Sequence, residues 1–213
     1  LGFIIDGVKL TLQVTITSYL IALVVGLIFG LMRVSDNPIL YAASTLYVEV
    51  MRGVPLLVII LYMGFVITPR VREATGGSID LQGVPAAILG IVSGYGAYMA
   101  EVYRGGIESI EHGQMEAARS LGMNYMQAMR HVVLPQAIRR VLPPLGNNLI
   151  SMLKDSSLIS VIALNDLLQT GRLYVSRTYR AFEGFNSVAL LYLIMTLFLS
   201  LVVRLVERKA AID

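Results

Sequence analysis

Charged side chains inside apolar segments are the residues of this sequence best suited to chemistry. Lys154 and Asp155 are adjacent in a long apolar stretch, and Ser156 and Ser157 follow them directly. A charge costs ~3 kcal/mol at the centre of a bilayer on some scales, so each such residue marks a candidate site. An ammonium, a carboxylate and two hydroxyls can together hold a solute that carries both charges. We expect Lys154 or Asp155 to contact such a solute, the alternative being a buried pair that orders the segment.

Further polar groups are predicted to complete this site. Asn147 and Asn148 precede the charged pair by about two helical turns. The opposite wall is predicted to come from the preceding apolar segment, through Ser93, Gly94, Tyr95, Tyr98 and, at its end, Glu101. Gly94 and Gly96 are expected to loosen that helix so that backbone groups reach the solute.

Two other charge pairs have the spacing of neighbours on one helix face. Glu49 and Arg52 are three residues apart, and so are Glu101 and Arg104. Each pair can therefore neutralise itself within its own helix, and for Glu49 and Arg52 a role in the solute site is the open alternative. For Glu101 and Arg104, which are followed by two glycines, a hinge or interface role is favoured over solute contact.

The elements that must position these residues are apolar helices. Of the 213 residues, 56% are hydrophobic and 15% are charged, and the mean hydropathy of +0.71 excludes an ordinary soluble domain. The chain has no Cys and two His, which argues against a thiolate or histidine-rich metal site. The net charge of +3 is scattered, so no nucleic-acid partner is indicated. We predict an all-α integral membrane helical bundle in a single domain, 1–213, with about five transmembrane helices at 10–32, 39–67, 84–100, 141–164 and 185–203.

The distribution of Lys and Arg between these spans predicts their orientation. Cytoplasmic loops retain positive charge, and nine basic residues against five favour a cytoplasmic 100–141 connection, an external N-terminus and a cytoplasmic C-terminus. The chain begins at Leu1, and its first apolar run is too long for a signal peptide. We therefore expect a leader, a few residues or a fused domain upstream.

Small residues recur at every fourth position in two predicted spans. Ala22, Gly26 and Gly30 form one series, and 86, 90 and 94 form the other. Such series let helices approach closely in lipid. Packing inside the bundle is the favoured interpretation, and a dimer seam is the alternative.

The hydrophilic stretch between the third and fourth spans reads as two short helices. Gly113 is predicted to cap the first, Glu116 lies in its first turn, and Gly122 suits its left-handed end. Asn124 is predicted to cap a second helix, with Gln127 three residues later completing a capping arrangement. That helix is predicted to end at Pro135.

This stretch resembles the "EAA" loop of permease subunits of ABC importers. The resemblance rests on Glu116-Ala-Ala, Gly122 and the run Val132-Val-Leu-Pro135, with Val132 where Ile is usual. In that family the loop forms coupling helices that dock on a nucleotide-binding subunit. The resemblance implies a coupling loop at about 107–135, whose docking residues would be Glu116, Ala117, Ala118, Gly122, Leu134 and Pro135.

The rest of the chain is similar to the branch of this family that imports polar amino acids. The stretches that carry the similarity begin at Met51, Tyr98, Leu134 and Lys154. The resemblance implies a type I permease fold, a second permease subunit in a homo- or heterodimer, two ATPase subunits and an extracytoplasmic solute-binding protein. The implied location is the bacterial cell membrane.

The sequence contains no phosphate-binding Gly-x-x-x-x-Gly-Lys-Ser/Thr motif. We therefore expect this chain to hold no cofactor and to be no enzyme, with ATP and Mg²⁺ bound by the partner ATPase. Two alternatives stay open: an ion-coupled secondary amino-acid carrier, which would be expected to show a longer, duplicated set of spans, and a membrane scaffold whose loop binds a soluble partner.

Overall fold

The computed structural model describes residues 2–110 and 112–212, and the regular elements there are all helical. In chain order they are α1 (Gly2–Arg33), α2 (Pro38–Gly53), α3 (Leu56–Tyr62), a π-helical turn (Met63–Ile67), α4 (Thr68–Ala74), α5 (Val84–Glu108), α6 (His112–Ser120), α7 (Tyr125–Ala128), a second π-helical turn (Met129–Val133), α8 (Leu134–Asp155), a 3-10 helix (Ser156–Ile162), α9 (Leu167–Thr178) and α10 (Ala181–Ile212). The prediction of an all-α fold is confirmed.

Two helices within the described ranges are long and apolar enough to cross a membrane alone. They are Ile4–Arg33 and Ala181–Lys209, in which an 18-residue window has a mean hydropathy of 2.3 and 2.4, respectively. Pro38–Gly53 and Leu56–Ala74 qualify together, but the chain bends by 104° between them. The number of five spans therefore stays a prediction. The predicted fourth span, 141–164, is not one α-helix, because α8 ends at Asp155 and a 3-10 helix continues it.

Three prolines, Pro55, Pro69 and Pro135, lie where helices bend or widen. Val54, before Pro55, has an extended backbone (φ −98°, ψ 133°), since proline disfavours helical geometry in the preceding residue. The two π-helical turns directly precede helices with proline near their starts, Pro69 and Pro135. A wider turn accommodates a residue that lacks an amide donor. The predicted helix end at Pro135 is therefore wrong, because the chain passes through it into α8.

Small residues bring α1 and α5 into close contact. A methyl group added at Gly26 would lie 2.5 Å from the Cβ of Met99, and one at Gly30 would lie 2.8 Å from the Cβ of Tyr103. Ala22 is fully buried on the same face. This series packs inside the chain, as the first interpretation predicted, rather than at a dimer seam.

The glycines of α5 likewise serve close packing. Gly90 faces Ile60, and Gly94 faces Leu56, whose Cδ1 would lie 2.7 Å from an added Cβ. The helix is unbroken from Val84 to Glu108. The expected loosening at Gly94 and Gly96 is therefore wrong, because neighbouring side chains fill the space that these residues leave.

The largest core cluster holds the helices that carry the candidate site. Its buried members include Val14 of α1, Ile91 and Met99 of α5, and Met152 of α8. The result is that α5 and α8 are fixed beside each other along the stretch where their polar residues occur.

Candidate functional site

A small cavity lies between the first turn of α3, the middle of α5 and the last turns of α8. Its volume is about 220 Å³, and it is lined by Leu56, Tyr95, Tyr98, Asn148, Ser151 and Asp155. Pockets for drug-sized ligands measure about 300–1,000 Å³. This cavity therefore has room for a smaller solute.

Helical spacing brings the polar groups of the cavity together. Tyr95 and Tyr98 are three residues apart on α5, and Asn148, Ser151 and Asp155 follow steps of three and four on α8, so each set shares one helix face. The Tyr95 hydroxyl donates a hydrogen bond to Oδ2 of Asp155 over 2.7 Å. This bond joins the two helices across the cavity.

Asn148 contributes an unpaired donor to the same place. Its Nδ2 atom is buried and has no hydrogen-bond partner among the described residues. A buried polar group left in this state costs about 1–3 kcal/mol. A ligand that accepted a hydrogen bond from Asn148 would remove that cost.

Four of the predicted solute contacts line the cavity, and the others lie elsewhere. Tyr95, Tyr98, Asn148 and Asp155 are in its wall, whereas Lys154 and Asn147 are exposed and are not among the lining residues. The hydroxyls of Ser93, Ser156 and Ser157 donate to the carbonyls of Leu89, Leu153 and Lys154. Gly94 packs on Leu56 of α3. Their role in solute binding stays a prediction.

Sequence reasoning missed two lining residues. Ser151 lies three residues after Asn148 and four before Asp155, so the helical period could have found it. Leu56 reaches the cavity because the chain turns sharply after α2 and because Gly94 leaves room for its side chain. No local pattern announces such a contact.

A second polar feature is a cluster of charges at the ends of α1, α2 and α5. The carboxylate of Glu101 contacts Arg33 at 2.8 Å, Arg104 at 2.8 Å and Arg52 at 3.5 Å. The predicted pairing of Glu101 with Arg104 is confirmed. Glu101 does not line the cavity, and three guanidinium groups already surround it.

The interpretation of Glu49 and Arg52 as a pair that neutralises itself on α2 is wrong. Glu49 contacts Arg33 of α1 at 3.0 Å, and Arg52 contacts Glu101 of α5. Each residue therefore has its partner on another helix, because three helix ends converge there. The Arg52 guanidinium also lies 5.7 Å from the centre of the Tyr98 ring, within range of a cation–π contact.

The 107–135 loop has the two-helix form that its residues predict. Gly122 has a φ of +86°, and the amides of Met123 and Gly122 donate to the carbonyls of Ala118 and Arg119, the pattern of a left-handed glycine stop. Asn124 and Gln127 form the predicted capping box. The predicted N-cap at Gly113 is wrong, since α6 is already helical at His112.

A small core of its own holds this loop to the bundle. Ile110, Val133 and Ala137 are its buried members, with Met115 and Met129 packed against them. Of the predicted docking residues, Ala118 is buried, whereas Glu116, Ala117, Gly122, Leu134 and Pro135 are exposed. Leu121 is 82% exposed and Met126 69%, so the turn after α6 and α7 itself present apolar side chains that nothing in the described chain covers.

Comparison with known proteins identifies the family. The family model described as "binding-protein-dependent transport system inner membrane component" matches residues 22–212. The glutamine transport system permease protein GlnP of Escherichia coli (strain K12) is 35% identical over 209 residues, which cover 98% of this chain and 93% of GlnP.

Solved structures agree with the fold. A chain in the crystal structure of an amino acid ABC transporter with histidines superposes with a TM-score of 0.87 at 38% identity, covering 98% of this chain and 94% of that one. A chain of the MetNI methionine ABC transporter, in an inward-facing conformation, gives a TM-score of 0.81 at 26% identity, covering 99% and 97%. The prediction of a type I ABC importer permease fold is thereby confirmed, and the chain belongs to the family of inner membrane components of binding-protein-dependent transport systems.

Proposed function

We propose that this chain forms the solute path of an ABC importer for polar amino acids and works by alternating access. The observation that carries the proposal is the cavity in which Asp155, Tyr95 and Asn148 meet between α5 and α8. The similarity of the chain to GlnP and to a chain of an amino acid ABC transporter supports this class of substrate.

The cavity offers chemistry that fits an amino acid. The Asp155 carboxylate can accept hydrogen bonds from a substrate ammonium group, and the Asn148 amide can donate to a carboxylate or a side-chain oxygen. Such a contact shares the carboxylate with the Tyr95 hydroxyl, which holds Asp155 in place. Of the two charged residues predicted to contact the solute, Asp155 is therefore the stronger candidate. A contact between Lys154 and the solute stays a prediction.

The energy comes from partner subunits in this proposal. The exposed residues of α6 and the following turn, with Glu116, Ala117 and Gly122 among them, dock on an ATPase subunit that binds ATP and Mg²⁺. Two ATPase subunits, a second permease subunit and an extracytoplasmic solute-binding protein complete the assembly. Closure of the ATPase pair moves the loop, and the loop moves the helices around the cavity.

The orientation is part of the same proposal. The N-terminus lies outside the bacterial cell membrane, and the 107–135 loop and the C-terminus lie in the cytoplasm, where the excess of Lys and Arg is retained. The chain itself holds no cofactor.

Replacement of Asp155 by Asn tests the site. We expect ATP-driven uptake of labelled amino acids by vesicles that contain the complete transporter to fall about tenfold or more, since a neutral amide cannot pair with an ammonium group. The matched control is Asp36→Asn, which makes the same change at an exposed turn. Unaltered uptake and unaltered substrate-stimulated ATPase activity in Asp155→Asn would refute this site.

A further inference from the structure

The cavity needs a cation if a zwitterionic amino acid is to be neutralised there. Asp155 supplies the negative charge, but Lys154, the cation that the sequence favours, is exposed and does not line the cavity. A carboxylate taken out of water without a positive partner or donors is costly. Asn148 offers one donor, and a cation from another helix would neutralise the remaining charge.

Arg52 is not a lining residue either, but it packs against one of the cavity walls. Its guanidinium lies 5.7 Å from the centre of the Tyr98 ring, and that ring forms part of the cavity wall. Arg52 belongs to the last turn of α2, four residues before Leu56, another lining residue. The 104° bend between α2 and α3 is what brings both of them to the same side of α5.

Arg52 is also the least engaged of the three arginines around Glu101. Arg33 contacts both Glu49 and Glu101, and Arg104 contacts both Glu101 and Glu108. Within the described residues Arg52 makes one ion pair, at 3.5 Å, and its side chain is 40% exposed. If Arg52 turned away, Glu101 would keep two guanidinium partners, so the movement would leave no carboxylate unpaired.

We propose that Arg52 binds the α-carboxylate of the transported amino acid. The planar guanidinium fork of arginine matches a carboxylate in a bidentate pair. In the free state Arg52 rests on the Tyr98 ring and Glu101, and in the occupied state it points into the cavity opposite Asp155. This assignment rests on the proposed function and adds the group that recognises the carboxylate end of the substrate.

The test compares two ligands that differ only at that end. Binding of labelled L-glutamine and of L-glutaminamide, whose α-carboxylate is a neutral amide, is measured by equilibrium dialysis on the purified permease–ATPase complex without binding protein. We expect the parent complex to prefer L-glutamine. In Arg52→Gln its affinity for L-glutamine should fall about tenfold, or ~1.4 kcal/mol, while its affinity for L-glutaminamide stays close to the parent value, so the preference disappears.

Two matched variants separate this role from its alternatives. Arg33→Gln removes the same charge from the Glu101 cluster away from the cavity, and Lys154→Gln removes the competing cation; both should keep the preference for L-glutamine. Loss of the preference in Lys154→Gln, or its persistence in Arg52→Gln, would overturn the assignment. If Arg52→Gln does not assemble, Arg52→Lys replaces it: lysine keeps the charge but not the bidentate fork, so the preference for L-glutamine should weaken, and an unchanged preference would overturn the assignment.

The same data separate failure of this assignment from failure of the proposed function. A parent complex that binds none of L-glutamine, L-histidine and L-arginine contradicts the substrate site itself, and the role of Arg52 falls with it. Binding that is lost in Asp155→Asn but keeps its carboxylate preference in Arg52→Gln contradicts only the role of Arg52.

Discussion

The cavity encloses polar side chains inside the bundle, whereas the 107–135 loop exposes apolar ones. In the cavity, the Tyr95 hydroxyl and the Asp155 carboxylate face each other inside the bundle, beside the main core of α1, α5 and α8. In the loop, Leu121 and Met126 point outward, and a core of three buried residues is the main anchor. A site that turns its polar groups inward fits a small solute, whereas a surface that turns apolar groups outward fits a macromolecule.

The largest effect should come from disturbing the bundle that supports the cavity. Gly26→Val introduces a β-branched side chain at a position where even an added Cβ would lie 2.5 Å from the Cβ of Met99. Overpacking of this kind costs about 1–3 kcal/mol or more. We expect the purified permease to show a markedly lower midpoint of thermal unfolding. Gly105→Val is the control, because an added Cβ there meets nothing within 4 Å; an equal loss in both variants would contradict the close α1–α5 approach.

The next largest effect should come from a substitution in the loop that weakens its coupling to the bundle. Gly122→Val forces a β-branched residue into a left-handed conformation (φ +86°), so the stop between α6 and α7 should distort. We expect the amount of amino acid imported per ATP hydrolysed to fall about tenfold, as for loss of a typical coupling energy. Gly76→Val introduces the same strain at φ +61° in another loop and should leave this ratio unchanged. Normal coupling in Gly122→Val would argue that the loop does not transmit the movement.

A smaller effect should come from removing an exposed apolar side chain of the loop, which tests whether the ATPase subunit binds there. Leu121→Ala removes apolar surface that nothing in the described chain covers. We expect the affinity for the ATPase subunit, measured by titration onto the reconstituted permease, to fall about fivefold, because part of the buried apolar area is lost. Leu193→Ala is the control, since this leucine is 53% exposed in the apolar helix α10. Equal affinities in both variants would remove Leu121 from the docking surface.

The smallest effect should appear at the hydrogen bond across the cavity. Tyr95→Phe removes the donor to Asp155, and a typical hydrogen bond contributes about 0.5–1.5 kcal/mol. We expect the KM for uptake to rise about threefold, with little change in ATPase activity. Tyr98→Phe keeps the ring beneath Arg52 and should change KM less. A reversed order of the two variants would mean that Tyr95 does not position Asp155.

The predictions from sequence succeeded where the information was local. The stop at Gly122 and the capping box at Asn124 depend on residues within one helical turn, and both have the predicted geometry. Asn148 and Asp155 line one cavity because seven residues make about two helical turns. The small-residue series predicted close helix contacts because a missing Cβ is visible in the sequence itself.

The failures came from contacts between distant parts of the chain. Glu49 and Arg52 have the spacing of a pair, yet both bind residues on other helices, because helix spacing says nothing about which helix ends converge. Lys154 and Asp155 looked equivalent as neighbours, but about 100° of helical rotation separates them and only Asp155 reaches the cavity. The missed contact of Leu56 depends on the bend after α2, whose angle no local pattern specifies.

The dependence of transport on ATP tests the link between loop and cavity most directly. The complete transporter, reconstituted in vesicles with its binding protein, is supplied with labelled L-glutamine, L-histidine and L-arginine, either with ATP at the ATPase side or with nucleotide depleted and proton and sodium gradients imposed. We predict uptake with ATP alone and none with the gradients alone. Sustained uptake driven by a gradient in the absence of nucleotide would contradict the account and favour an ion-coupled carrier.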